Sequence, residues 1–153
     1  MDCFKILTID DNDSIRLSIS SYLEDLGHTV IDAEDGKIGI ELIKSENPDV
    51  ILTDTHMPGL SGIDVLDFCK KDRPDTPIIV ISGAGEIEFV VRALRAGAWD
   101  YITKPIEDLS FLSYTIEKVM KRVLLVKENL EKSEELKNKN IELNKTVEEL
   151  KRT

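Results

Sequence analysis

The sequence predicts an α/β protein: a doubly wound five-stranded parallel sheet with a C-terminal helical extension. Three observations predict this class. Short apolar segments alternate regularly with amphipathic ones, and two of the apolar segments are hydrophobic at nearly every position, as in strands covered on both faces. All eight glycines and all five prolines lie before residue 106, which favours a long uninterrupted helix at the end of the chain.

The five strands are predicted from apolar runs bounded by turn residues. Short connections between each strand and the following helix imply parallel βα units, because such units wind in one direction onto both faces of a sheet. The predicted strands are KILTI (5–9), TVIDA (29–33), DVILT (49–53), PIIVIS (77–82) and DYIT (100–103).

The intervening helices are predicted from apolar residues at helical spacing and from capping residues. The first has an apolar stripe that includes Ile15, Ile19 and Leu23, and Asp13 is its expected N-cap. The last of the four stops before Gly97, a suitable C-terminal residue. The predicted ranges are 14–26, 37–45, 63–71 and 86–96.

Composition excludes several classes of protein. A chain of 153 residues with 41% hydrophobic content holds one domain with a proper core, and a net charge of −10 argues against a direct nucleic-acid surface. No apolar run is long enough to cross a membrane, and the N-terminus lacks a basic region followed by an apolar one, so we expect a cytoplasmic protein. Cys3 and Cys69 are too few for a disulfide framework and predict reduced structural thiols.

The carboxyl ends of the predicted strands carry most of the chemically distinctive residues. Asp10 and Asp11 follow the first strand, Asp54 the third, Ser82 ends the fourth, and Lys104 follows the fifth. In parallel sheets function gathers at this edge. Three carboxylates repel one another unless a cation is present, and oxygen ligands without a histidine or thiolate cluster favour Mg²⁺. The alternative is that these aspartates are helix caps, but capping needs only one of them.

These residues form an ordered set of motifs. They are the pair Asp10-Asp11, the segment DVILTDTHMPGLSGID around Asp54, the triplet Ser82-Gly83-Ala84, and Tyr101-Ile-Thr-Lys104-Pro105. The set resembles the receiver domain of two-component response regulators, over residues 3 to about 120. The resemblance implies a flavodoxin-like sheet with strand order 2-1-3-4-5.

The resemblance implies a phosphorylation-activated signalling switch. Asp54 would accept a phosphoryl group from a sensor histidine kinase or phosphotransfer protein, so the chain is a phosphoacceptor with self-phosphorylation and self-dephosphorylation chemistry and not an enzyme in the ordinary sense. Mg²⁺ is the implied cofactor and would neutralise charge on the transferring group. Its implied ligands are Asp10, Asp11, Asp54 and the backbone carbonyl of His56.

The implied phosphoryl-binding and switch residues are Ser82, Gly83, Ala84, Tyr101 and Lys104. Lys104 would pair with a phosphoryl oxygen or with Asp54, the Ser82 hydroxyl and a nearby backbone N–H would take another oxygen, and Tyr101 would then turn inward. Each of these residues alone would be an ordinary surface or strand residue.

Some residues of the set indicate loop geometry or depart from the family pattern. Pro58 and Pro105 are interpreted as loop-shaping or cis prolines. Thr55 replaces a larger aliphatic residue, and Gly83 stands where alanine is usual. His56 is interpreted as a solvent-facing loop residue whose backbone alone would bind metal.

Alternative functions come from other classes. A Mg²⁺-dependent aspartyl phosphatase of haloacid dehalogenase type requires a second aspartate two residues after the nucleophile, and here that position is occupied by His56. A flavin-binding domain of this fold class would need a phosphate loop after the first strand, whereas DDNDS would repel a phosphate. The third alternative is a dimerising coiled-coil scaffold.

The tail carries a heptad signal that predicts a coiled coil. Apolar residues step by four and three from Leu112 to Leu130, and the pattern resumes after a three-residue shift with Leu136, Asn140, Leu143, Val147 and Leu150. Asn140 at an a-type position favours a parallel dimer. We therefore predict a receiver domain at 1–120 and a coiled-coil extension at 121–153 that forms a homodimer. A further output domain beyond Thr153 is expected, and a single solvated helix is the alternative.

Overall fold

The computed structural model describes residues 3–152 and contains five strands and five helices in strict alternation. Met1 and Thr153, at which the predicted domain ranges begin and end, lie outside the described residues, as does Asp2. The elements are β1 (Lys5–Ile9), α1 (Asp13–Asp25), β2 (Thr29–Ala33), α2 (Gly36–Glu46), β3 (Val50–Asp54), α3 (Gly62–Asp72), β4 (Ile78–Ser82), α4 (Ile87–Arg95), β5 (Asp100–Thr103) and α5 (Ser110–Arg152).

The five strands form one parallel sheet in the order β2-β1-β3-β4-β5. This confirms the predicted α/β class and strand order, and the strand bounds agree with the prediction to within one residue. The interior strands β3 and β4 are buried at all five of their positions, because helices cover both faces of the sheet.

The core lies between the sheet and its helices. On one side Leu7 and Ile51 pack in a cluster with Ile43 of α2 and Val65 of α3. Fully burying such side chains stabilises the fold by about 1.5–3 kcal/mol each, so this cluster holds the helices on the sheet.

The cap of the first helix differs from the prediction. Asn12, not Asp13, is the N-cap of α1, and its side chain accepts a hydrogen bond from the Ile15 N–H at 3.1 Å. Asp13 lies in the first turn and pairs with Arg16 at 2.6 Å. The prediction was wrong because asparagine and aspartate cap almost equally well, and only the backbone path decides which of two neighbours is placed to do so.

The last helix serves two different environments. Leu112, Ile116 and Val119 are completely buried in the core, so the first three positions of the predicted heptad run are used within the α/β unit. The chain divides into two compact units, residues 1–119 and residues 120–153. In the second unit the apolar side chains from Leu124 to Leu150 are exposed, and their assignment to a coiled coil stays a prediction.

None of the helices within residues 3–152 combines the length and the apolar character needed to cross a membrane.

The two free thiols differ in environment and should differ in reactivity. Cys3 is exposed, whereas Cys69 is 2% exposed in the core, where burial raises the pKa of its thiol to about 11. Because the thiolate is the reactive form, we expect iodoacetamide at pH 8 to modify Cys3 and to modify Cys69 roughly 100-fold more slowly, with Cys69 speeding up as the pH rises. Mass spectrometry of the digested protein measures both rates.

In the Cys3→Ser variant the native protein should resist labelling, and the unfolded protein should be labelled at once. Equal labelling rates of Cys3 and Cys69 in the native protein would contradict the packing described here.

Candidate functional site

Three aspartates converge at the carboxyl edge of the sheet. Asp10 and Asp11 follow β1, and Asp54 ends the neighbouring strand β3. One carboxylate oxygen from each lies within 4.8 Å of the others. Asp10 and Asp54 are buried and Asp11 is exposed, so the cluster opens to solvent on the Asp11 side.

Lys104 connects the two buried carboxylates. Its Nζ donates to Asp10 Oδ2 at 3.0 Å and to Asp54 Oδ2 at 3.1 Å. Its backbone N–H donates to the Ser82 carbonyl at 2.6 Å, and the Lys104–Pro105 peptide bond is cis. One ammonium among three carboxylates leaves the site with an excess of negative charge.

The pKa values of Asp54 and Lys104 are shifted by their burial and by the charged groups around them. Burial raises the pKa of Asp54, and Asp10 adds to the rise, while Lys104 opposes it. Burial alone would lower the pKa of Lys104, but its hydrogen bonds and charge interactions with Asp10 and Asp54 outweigh that and raise it. The charged Lys104 therefore contributes its full stabilisation of the fold at any pH below the ordinary pKa of lysine. That contribution is lost only when the pH rises through the raised pKa of Lys104 in the folded protein.

Arg16 holds the loop that carries Asp10 and Asp11. Its guanidinium donates to the Asp10 carbonyl at 2.8 Å, to Asp13 at 2.6 Å and to Asp32 at 3.2 Å, and its side chain is only 12% exposed. The Asp10 side chain in turn accepts from the Asn12 N–H at 2.9 Å. These bonds fix the end of β1 against the start of α1.

A glycine supports the position of Asp54. A Cβ on Gly62, the first residue of α3, would lie 2.5 Å from the Asp54 carbonyl oxygen and 3.1 Å from Thr55 Cα. Any side chain there would push the backbone of the acceptor loop, so only glycine permits this close approach.

The last residue of β4 and the two residues after it lie at the same edge of the sheet as Asp54. Ser82 is fully buried, and its Oγ has no hydrogen-bond partner among the described residues. The hydroxyls of Thr8 and Ser20 also lack a hydrogen-bond partner there, but of these three residues only Ser82 is the last residue of a strand. Gly83 is partly buried and Ala84 exposed. A buried hydroxyl without a partner is costly, which is consistent with a ligand oxygen as its partner.

Tyr101 lies on β5 with 41% of its surface exposed. The ring is therefore not turned fully inward, which leaves the predicted inward movement as a prediction about another state.

His56 and Thr55 follow Asp54 and contact a residue that the sequence did not indicate. The His56 N–H donates to Asp54 Oδ1 at 3.4 Å, while its half-exposed ring lies 3.4 Å from a carboxylate oxygen of Glu86. The Thr55 hydroxyl donates to Glu86 Oε2 at 2.9 Å. Partial burial would raise the pKa of Glu86, but hydrogen bonds from Gly83 and Thr55 lower it.

The prediction therefore located the charged centre and missed its supporting residues. The contacts of Arg16, Gly62 and Glu86 depend on tertiary approach between elements distant in sequence. An acidic residue directly after the segment Gly83-Ala84-Gly85 was a weak signal for Glu86, and nothing local identified Gly62.

The oxygen-only donor set suits a hard divalent cation. Three carboxylates with ligand atoms this close, at an opening to solvent, form a group that could hold a metal ion. Pro58 is exposed in the loop after β3.

Comparison with known proteins identifies the family. A sequence model described as the response regulator receiver domain matches residues 6–116, and this chain belongs to that family. The solved receiver domain from Clostridium thermocellum is 34% identical, covers 80% of this chain and 98% of its own, and superposes with a TM-score of 0.75.

Two curated relatives differ in length. The PilH protein of Pseudomonas aeruginosa is 36% identical over 118 residues, which are 76% of this chain and 97% of PilH. A cyclic di-GMP phosphodiesterase of Thermotoga maritima is 35% identical over 144 residues, or 94% of this chain. This chain spans only 38% of the length of that phosphodiesterase.

Proposed function

We propose that the chain is the phosphorylation-activated switch of a two-component system, with Asp54 as its phosphoacceptor. The observation that carries the proposal is the Lys104 ammonium shared between Asp54 and Asp10 at the edge where Asp11 opens to solvent. Membership of the receiver family supports it. The proposed phosphoryl donor is a sensor histidine kinase or a phosphotransfer protein.

The proposed metal is Mg²⁺, held by the carboxylates of Asp10, Asp11 and Asp54 and by the His56 carbonyl. When bound, Mg²⁺ supplies positive charge that offsets the charge of the transferring phosphoryl group. The carboxylate-only cluster and its excess negative charge support this choice.

The proposed chemistry is displacement at phosphorus. An Asp54 carboxylate oxygen attacks, a new P–O bond forms, and the P–N bond of the donor phosphohistidine breaks. The donor imidazole, protonated on its other ring nitrogen, leaves as a neutral ring that keeps the electron pair. Lys104 then turns from Asp54 to a phosphoryl oxygen. A second phosphoryl oxygen accepts hydrogen bonds from the Ser82 hydroxyl and from the Gly83 N–H, which precedes Ala84.

The phosphatase alternative is less well supported. Its second aspartate would be needed at His56, whose side chain contacts Glu86 instead. We accordingly propose a phosphoacceptor with self-phosphorylation and self-dephosphorylation chemistry, located in the cytoplasm, without a direct role at nucleic acid or membranes.

Phosphorylation should occur at Asp54 alone. With acetyl phosphate and Mg²⁺, intact-mass measurement should show one added phosphoryl group, which disappears in Asp54→Asn and in the presence of a chelator. Asp75→Asn, an exposed carboxylate away from the site, serves as the matched control and should be phosphorylated as the parent is. Unchanged labelling of Asp54→Asn would refute the assignment.

We also propose that residues 121–153 form a parallel homodimeric coiled coil. The exposed apolar side chains of Leu136, Leu143, Val147 and Leu150 support it, since a solvated helix has no need of them. The much longer phosphodiesterase relative supports an output domain joined through this coil.

Light scattering at micromolar concentration tests the dimer. The parent chain should be dimeric, and Val147→Asp, which places a charge in the predicted seam, should be monomeric. Lys145→Asp alters charge on the opposite side of the same helix turn and should remain dimeric. A monomeric parent chain would rule out the coiled coil.

A further inference from the structure

Glu86 links three groups at the phosphoacceptor edge. Its Oε2 accepts hydrogen bonds from the Gly83 N–H at 2.8 Å and from Thr55 Oγ1 at 2.9 Å. Its Oε1 lies 3.4 Å from His56 Nε2. The side chain is 26% exposed, so solvent only partly replaces these contacts.

Glu86 holds the N-cap position of α4 without capping the helix. Its side chain makes no hydrogen bond to the first turn of α4, although capping is the usual role of a polar side chain there. The carboxylate instead turns back to the ends of β3 and β4. Its position is therefore set by those strand ends.

The Gly83 N–H has the placement of an anion donor. Gly83 follows Ser82 directly, and β4 pairs with β3 so that Asp54 lies opposite Ile81. The Thr55 N–H donates to the Ile81 carbonyl at 3.2 Å, which holds the two strand ends together. The Gly83 N–H thus follows directly after the residue with the unpartnered Ser82 hydroxyl. This N–H donates to the Glu86 carboxylate.

We propose that Glu86 competes with the phosphoryl group: its carboxylate occupies the Gly83 N–H and must be displaced when a phosphoryl group on Asp54 takes that donor. The inference rests on the proposed function of Asp54. One N–H cannot serve two anions at full strength, and two negative groups at one donor repel. Glu86 therefore weakens phosphoryl binding and sets its strength.

Displacement of Glu86 has a consequence for α4. The carboxylate would leave Thr55 and His56 as well as Gly83, so the side-chain links between the β3 end and the start of α4 would be lost together. The ring contact between His56 and Phe89 of α4, with centroids 4.2 Å apart, does not involve Glu86 and would not be broken by its release. Release of Glu86 thereby connects occupancy of the site to the position of α4.

The affinity for beryllofluoride, a phosphoryl mimic, tests the proposal in the full chain with Mg²⁺ present. Glu86→Gln keeps the size of the side chain and removes its charge, and we expect it to bind the mimic about tenfold more tightly, as expected for weakening one charge-assisted hydrogen bond. Glu86→Ala should show at least the same gain. Thr55→Val, which removes one donor to Glu86 and leaves its charge, should show a smaller gain.

The matched control is Glu88→Gln, which removes the same charge from an exposed position in the first turn of α4. It should bind the mimic as the parent does. The Mg²⁺ affinity of Glu86→Gln should stay within about twofold of the parent, because the proposed metal ligands are untouched. A general loosening of the site would instead lower the affinity for both Mg²⁺ and the mimic.

A second measurement needs neither metal nor mimic. In Mg²⁺-free protein, the NMR signal of the Gly83 amide proton should move upfield in Glu86→Gln and Glu86→Ala and stay in place in Glu88→Gln, since a carboxylate acceptor shifts it downfield. An unmoved signal in both Glu86 variants would overturn the proposal.

The outcomes separate the two claims. If the parent chain binds the mimic and Glu86→Gln binds it equally or more weakly, the competition is overturned while the function of Asp54 stands. If the parent chain itself fails to bind the mimic with Mg²⁺, the proposed function fails and the inference with it. Tighter binding in Glu86→Gln, together with the moved Gly83 signal, supports the proposal.

Discussion

The Lys104 ammonium between Asp10 and Asp54 is the interaction on which the rest of the site depends. Buried carboxylates are costly unless a cation compensates them, and Lys104 contacts both at about hydrogen-bond distance. The compensation is incomplete, because Asp11 adds a third carboxylate. Under the proposed function, that remaining charge attracts a divalent cation, and Lys104 exchanges its contact with Asp54 for one with a phosphoryl oxygen. The same imbalance thus underlies both the proposed metal binding and the proposed acceptor chemistry.

Much of the fold followed from the sequence because strands buried on both faces must be apolar throughout, as β3 and β4 are. The charged residues at the strand ends were predictable for a related reason, since parallel strands bring their carboxyl ends to one edge. Strand order came from the family resemblance, because periodicity carries no information about which strands are neighbours. Glu86 was missed since its contacts with Thr55 and Gly83 need β3 and β4 already paired. Asn12 was missed because two adjacent residues had equal capping ability.

The last helix shows why a heptad pattern is ambiguous. Spacings of three and four place side chains on one face, whether that face packs on a sheet or on another helix. Leu112 and Ile116 follow the pattern and are fully buried in the α/β unit, whereas Leu143 follows it and is 63% exposed. The same spacing therefore occurs in a buried and in an exposed environment. The boundary between the units, at residues 119 and 120, falls where this change of environment occurs.

The free energy of unfolding of Lys104→Met, with and without Mg²⁺, tests the central role of Lys104 most directly. Removing the ammonium leaves two buried carboxylates uncompensated, so without Mg²⁺ the variant should be about 2–4 kcal/mol less stable than the parent in urea. Adding Mg²⁺ should recover most of that loss. Lys118→Met removes a lysine from a half-exposed pair with Asp100, at 2.8 Å, and should cost less than about 1 kcal/mol with no dependence on Mg²⁺. Parent-like stability of Lys104→Met without Mg²⁺, or equal gains from Mg²⁺ in variant and parent, would contradict this account of the site.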